Sequence, residues 1–135
     1  MKALTFSRTL RVALSGAALA CAASVALADI RNYKFELVEP TVKAGADRTI
    51  AVKLVDKTTG KPVPDAVIFA TRLDMAPDAM QEMVTKLTPL PGSEPGTYRF
   101  QATFGMEGRW QLSLAAKVQG ETGTVENKLV IQADK

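Results

Sequence analysis

Histidine is absent from the chain, and cysteine occurs once, at Cys21. The first absence excludes Ser–His and Cys–His catalysis, histidine-ligated zinc, histidine-bound copper(II) and haem held by histidine. The second excludes an internal disulfide and dithiol chemistry. Serine is scarce past residue 28, at Ser93 in a turn and Ser113 in an expected strand. Neither has a lysine at a spacing that would activate its hydroxyl. No enzyme chemistry is legible in the residues, and the expectation is a non-enzymatic protein.

A surplus of basic charge is also missing where it would matter. The formal net charge is +3, and Lys2, Arg8 and Arg11 account for all of it, leaving 14 residues of each sign in the rest. No Lys/Arg cluster follows them, so the sequence offers no electrostatic footprint for nucleic acid. Those three basic residues open a leader. Residues 12–28 are an uncharged run rich in Ala and Leu, and Ala26-Leu27-Ala28 closes it with the small-x-small pattern of a cleavage site. Residues 1–28 are therefore expected to be a signal peptide cleaved after Ala28, giving a periplasmic protein of residues 29–135. Retention as an anchor is an alternative, since the run has the shortest length that spans a bilayer, and membrane contact is expected only then. Cys21 after Ala18-Leu19-Ala20 offers lipidation as a further alternative.

Long amphipathic helices are lacking as well. What recurs instead is alternation of period two, the mark of half-buried strands. Tyr33, Phe35 and Leu37 alternate with Lys34 and Glu36, and Pro40 ends that strand. Ile50, Val52 and Leu54 form a second strand, and residues 63–73 a third that starts around Pro64. Residues 84–90 read as a fourth. Tyr98, Phe100, Ala102 and Phe104 make a fifth, Trp110, Leu112, Leu114 and Ala116 a sixth, and residues 125–131 a seventh. Seven short strands with regular turn signals predict an all-β, antiparallel immunoglobulin-like sandwich.

The pattern breaks between the third and fourth strands. Asp74-Met75-Ala76-Pro77-Asp78-Ala79-Met80-Gln81-Glu82-Met83 reads as a loop with one helical turn, Pro77 at its first position. Asp74, Asp78 and Glu82 would share a helical face there. That spacing allows a hard-cation site, but it lacks the calcium-loop arrangement, and a solvated face is the plainer reading. Methionine is the more informative set. Met75, Met80 and Met83 fall in this segment, and Met106 lies in Gly105-Met106-Glu107-Gly108, just before the sole tryptophan, Trp110. In such a sandwich the two connections lie at one end, so the four thioethers are expected to converge. Met80 and Met83 would share a face if the loop were helical. Thioether sulfur is soft and neutral and selects Cu(I), and Trp110 would cover the ion with its ring face. The alternative is that the methionines plug the end of the core and Met106 packs on the indole.

Gly60-Lys61-Pro62-Val63-Pro64-Asp65-Ala66, Asp74-Met75-Ala76-Pro77 with Met80 and Met83, Pro95-Gly96-Thr97-Tyr98, and Phe104-Gly105-Met106-Glu107-Gly108-Arg109-Trp110-Gln111-Leu112 together resemble the YtkA-like family, which includes domains related to FixH. The resemblance covers residues 33–133. It implies an extracytoplasmic immunoglobulin-like domain without enzymatic activity, associated with heavy-metal efflux or copper delivery to oxidases. FixH-type proteins keep a membrane helix, whereas this leader looks cleavable. Many relatives carry a Met-Pro-x-Met-like loop with histidines nearby, and here any such site is methionine-only. Two expectations follow. One is a periplasmic accessory protein that holds Cu(I) through Met75, Met80, Met83 and Met106, with Trp110 adjacent. The other is a metal-free module that docks on a membrane efflux or oxidase-assembly complex.

Overall fold

The structure is a computed structural model that describes residues 30–92 and 94–135. The leader, its cleavage position, Cys21 and Ser93 lie outside the described residues. Among the described residues nine strands are formed: β1 (Tyr33–Leu37), β2 (Thr41–Lys43), β3 (Gly45–Asp56), β4 (Ala66–Met75), β5 (Met80–Thr85), β6 (Thr88–Leu90), β7 (Thr97–Phe104), β8 (Gly108–Val118) and β9 (Val125–Asp134). Short 3-10 turns at Ile30–Asn32 and Ala76–Asp78 are the helical pieces among the described residues. No helix among them is long and apolar enough to cross a membrane.

The strands form a four-stranded sheet in the order β1-β3-β7-β6 and a five-stranded sheet in the order β2-β9-β8-β4-β5. The inward residues of both are the ones the alternation selects. Phe35, Val52, Leu54, Phe100 and Phe104 from the first sheet meet Leu73, Trp110, Leu112, Leu114 and Ile131 from the second in one buried core. Each such side chain contributes about 1.5–3 kcal/mol of transfer free energy, before the cost of ordering the chain. A one-residue slip in register would turn the whole set toward solvent, so the pattern fixes the pairing. The all-β immunoglobulin-like sandwich expected from the sequence is the observed fold.

Three details differ from expectation, and each has a local cause. Nine strands stand among the described residues where seven were expected, because residues 41–43 form a strand too short to show alternation and the stretch 84–90 is divided between two strands. That strand, β2, pairs in parallel with β9, so the second sheet is mixed. It crosses between sheets after β1, anchored where the Gln132 N–H donates to the Pro40 carbonyl at 2.8 Å. The stretch 84–90 is not one strand. Its first part belongs to β5 in the second sheet, and its last part is β6 in the first, with the crossing at Lys86-Leu87. Pro89 is tolerated because β6 is an edge strand, where the missing N–H has no ladder partner to lose. Finally, the helical turn stops at Asp78, so Met80 and Met83 stand on a strand and not on a shared helical face.

Candidate functional site

Two connections meet at one end of the sandwich. One is the β4–β5 segment with its 3-10 turn, Pro77 in the first helical positions and Ala79 at φ 61° closing it. A left-handed Ala carries a steric cost, since its Cβ crowds the backbone. That conformation ends the helix after one turn, and the Ala79 N–H donates back to the Ala76 carbonyl at 2.9 Å. The other connection is the β7–β8 turn at residues 105–107.

Asp78 fastens the two together. Its carboxylate accepts from the Arg109 backbone N–H at 2.8 Å and from the Arg109 Nε–H at 2.8 Å. The Arg109 Nη2 also donates to the Pro77 carbonyl at 2.9 Å. The backbone bond and the guanidinium hold the Asp78 carboxyl below its ordinary pKa of 3.8. Beneath this staple lies Gly108, at φ +140°, a region L side chains rarely adopt. A Cβ there would sit 2.5 Å from Met75 Cε and 2.8 Å from Asp78 Oδ2. The missing side chain lets the Met75 methyl and the Asp78 carboxylate lie on the β8 backbone.

The four methionines occupy different layers of this end. Met75 is fully buried. Its cross-strand neighbour is Met80, which is half-buried and packs on the core. Met106 is 40% exposed at the tip of its turn, and its carbonyl accepts the Trp110 indole N–H at 3.2 Å. Met83 is 37% exposed. It belongs to the residues Gln81, Glu82 and Met83, which the register shift between Asp74 and Met75 leaves without partners on β4. The Met75 methyl lies against Gly108, Met80 is its partner across β4 and β5, the Met106 turn leads into the same glycine, and Met83 has no partner on β4. Trp110 is 2% exposed and lies edge-on to Phe104, with centroids 5.5 Å apart at 82°. The indole lies beneath the Met106 turn, to whose carbonyl it donates.

The carboxylates do not share a face. Asp74 is buried on β4, accepts the Ala76 N–H at 3.0 Å and pairs with Arg72. Asp78 is held by Arg109, and Glu82 is exposed on β5. Among the described residues no three His, Cys, Asp or Glu side chains are grouped to hold a metal ion. The thioethers at this end are soft, neutral donors, and the carboxylate beside them, Asp78, is held by Arg109. Arg109 meets Asp78 from 31 residues away in sequence, and Gly108 meets Met75 and Asp78 across a like separation, so no local pattern signals these contacts.

The YtkA-like family model matches residues 27–115, ending within β8. The chain belongs to the YtkA-like family. No curated protein matches it significantly. Two solved structures are similar to this YtkA-like protein in fold. The Lin-41 filamin domain shares 18% identity at a TM-score of 0.42, over 75% of this chain and 92% of that one. The ZirS C-terminal domain shares 17% identity at a TM-score of 0.43, over 80% of this chain and 70% of that one. In this YtkA-like protein the family match takes in both staple connections and all four methionines.

Proposed function

We propose that this YtkA-like protein is an exported, non-enzymatic accessory protein of copper handling that binds Cu(I) through methionine thioethers. The observation that supports the reading is the Met75–Met80 pair across β4 and β5, with Met75 against Gly108 and the Met106 turn leading into that glycine beside the Asp78–Arg109 staple. Three thioethers hold Cu(I) without histidine and without releasing a proton, which suits a chain that has no histidine. Met80 and Met106 supply solvent access, Met75 is the inner donor, and Met83 is peripheral. The leader, read as a cleaved signal peptide, delivers the protein to the periplasm.

The test is an anaerobic Cu(I) titration of the purified protein against a competing chelator, with Trp110 fluorescence followed. Trp110 is the sole tryptophan and bonds the Met106 carbonyl, so it reports on this end of the molecule. One tightly held ion with quenching is expected. The Met75→Leu/Met106→Leu double variant is expected to lose it. Full retention by that variant would remove the site assignment.

A second reading has its own observation. Val67, Phe69 and Val130 are large, apolar and at least half exposed on the five-stranded sheet. Such residues suit a module that docks on a membrane efflux or oxidase-assembly complex, the role to which a relation with FixH domains would point.

A further inference from the structure

We infer that Asp78 and Arg109 are positioning residues whose staple decides which methionine stands across from Met75, and so which thioethers the Cu(I) site holds. The inference rests on the Cu(I) reading and names what keeps that site in register. β4 and β5 pair as Leu73↔Thr85 and Asp74↔Val84. One further step of that antiparallel ladder would bring Met83 opposite Met75. The observed partner is Met80, because the register shifts after Asp74 and leaves Gln81, Glu82 and Met83 out of the pairing. Two methionines thus compete for one position. The choice sets the surroundings of the pair, since Met80 is half-buried and packs on the core, whereas Met83 is 37% exposed.

The shifted register requires a strained residue. Ala79, between the staple and Met80, has φ 61° and ψ 28°, the left-handed region in which a Cβ crowds the backbone. Such a residue persists only where its surroundings fix it. The bond from the Ala79 N–H to the Ala76 carbonyl closes the turn but lies wholly within it.

Arg109 ties that turn to the sandwich. It grips the two residues just before Ala79: its guanidinium donates to the Pro77 carbonyl and to one oxygen of the Asp78 carboxylate, and its backbone N–H donates to the other. Arg109 stands on β8, in register with Gln132 of β9, so the anchor belongs to the sheet and not to the turn. Gly108 leaves the space through which the carboxylate reaches the β8 backbone. Among the described residues Arg109 pairs with no other carboxylate. Without the staple Ala79 is free to leave the left-handed region, the ladder set by Leu73 and Asp74 runs on, and Met83 takes the place of Met80.

The test joins two measurements on the purified protein: cross-strand proton contacts of Met75 in the metal-free state, and Cu(I) affinity read anaerobically against a competing chelator. In the unmodified protein the contacts are expected to run to Met80, and in Asp78→Asn to Met83. Cu(I) affinity is expected to fall roughly tenfold or more in Asp78→Asn, as loss of a group that orients metal ligands does. Adding Ala79→Gly to Asp78→Asn is expected to restore part of both, since glycine enters the left-handed region without steric cost. Tyr33→Phe, which removes the bond to Glu121 at the opposite end, is expected to change neither. Met80 remaining the neighbour of Met75 in Asp78→Asn, or unchanged affinity in that variant, would overturn the proposal and leave the Cu(I) reading intact. A double variant no better than Asp78→Asn would overturn it as well. Failure of the unmodified protein to hold Cu(I) would instead remove the Cu(I) reading, and the metal-free contacts would still decide whether the staple sets the register.

Discussion

The two halves of β4 differ sharply although they are one continuous strand. Leu73, Asp74 and Met75 are 0%, 4% and 0% exposed, whereas Val67 and Phe69 are 64% and 56% exposed. Both halves carry large apolar side chains. What differs is facing and cover: Leu73 and Met75 face the core as Ala66 and Ile68 do, Val67 and Phe69 alternate with Ile68 on the outward side, and Asp74 is bonded by the Ala76 N–H of the following turn. The covered half is fixed by non-local contacts, namely Gly108 against Met75 and Arg109 on Asp78. The open half keeps only its β8 partner. Burial along a strand is thus decided by facing and by where neighbouring segments arrive, and an apolar stretch alone does not tell a core residue from an exposed one.

The comparison breaks most sharply at Gly108. Gly108→Val should drive a side chain into Met75 Cε and Asp78 Oδ2 and strain the backbone at φ +140°. A loss of about 3 kcal/mol is expected from overpacking and strain together, read as a lower urea midpoint. The Met75→Leu/Met106→Leu variant conserves volume and should change stability by less than about 1.5 kcal/mol in the same assay. Asp78 adds a pH signature. Its folded pKa is depressed, so its stabilisation is present above the ordinary value of 3.8 and is lost as pH falls through the folded value. Urea midpoints measured downward from pH 5 should fall more steeply for the unmodified protein than for Asp78→Asn. At the opposite end, Tyr33 donates to Glu121 at 2.8 Å, and this bond pushes its pKa up to about 12. Its folded pKa is raised, so its stabilisation holds below pH 10 and is lost between pH 10 and 12, a loss that Tyr33→Phe should lack. The smallest effect is expected in the open half of β4, where Val67→Lys should shift stability by no more than about 0.5 kcal/mol.

The alternation of Tyr33, Phe35 and Leu37, of Tyr98 to Phe104, and of Trp110 to Ala116 made most of the sandwich legible, because half-buried strands must alternate. β2 was not legible, since three residues give no period. The split of β5 from β6 was not legible either, since Lys86-Leu87 carries no turn residue although the chain changes sheets there. The methionine cluster was visible as composition. Its layering was not, because it depends on the Met75–Met80 pairing and on a left-handed Ala79 that no propensity would choose. The exposed edge of β4 was hidden for the same reason, as Val67, Ile68 and Phe69 read like any core strand.

Site-resolved methionine methyl spectra of the protein, recorded anaerobically before and after one equivalent of Cu(I), test the central claim most directly. The account predicts that the Met75, Met80 and Met106 methyl signals move together while that of Met83 stays in place. Movement confined to the exposed Met83 and Met106, or no movement at all, would contradict it.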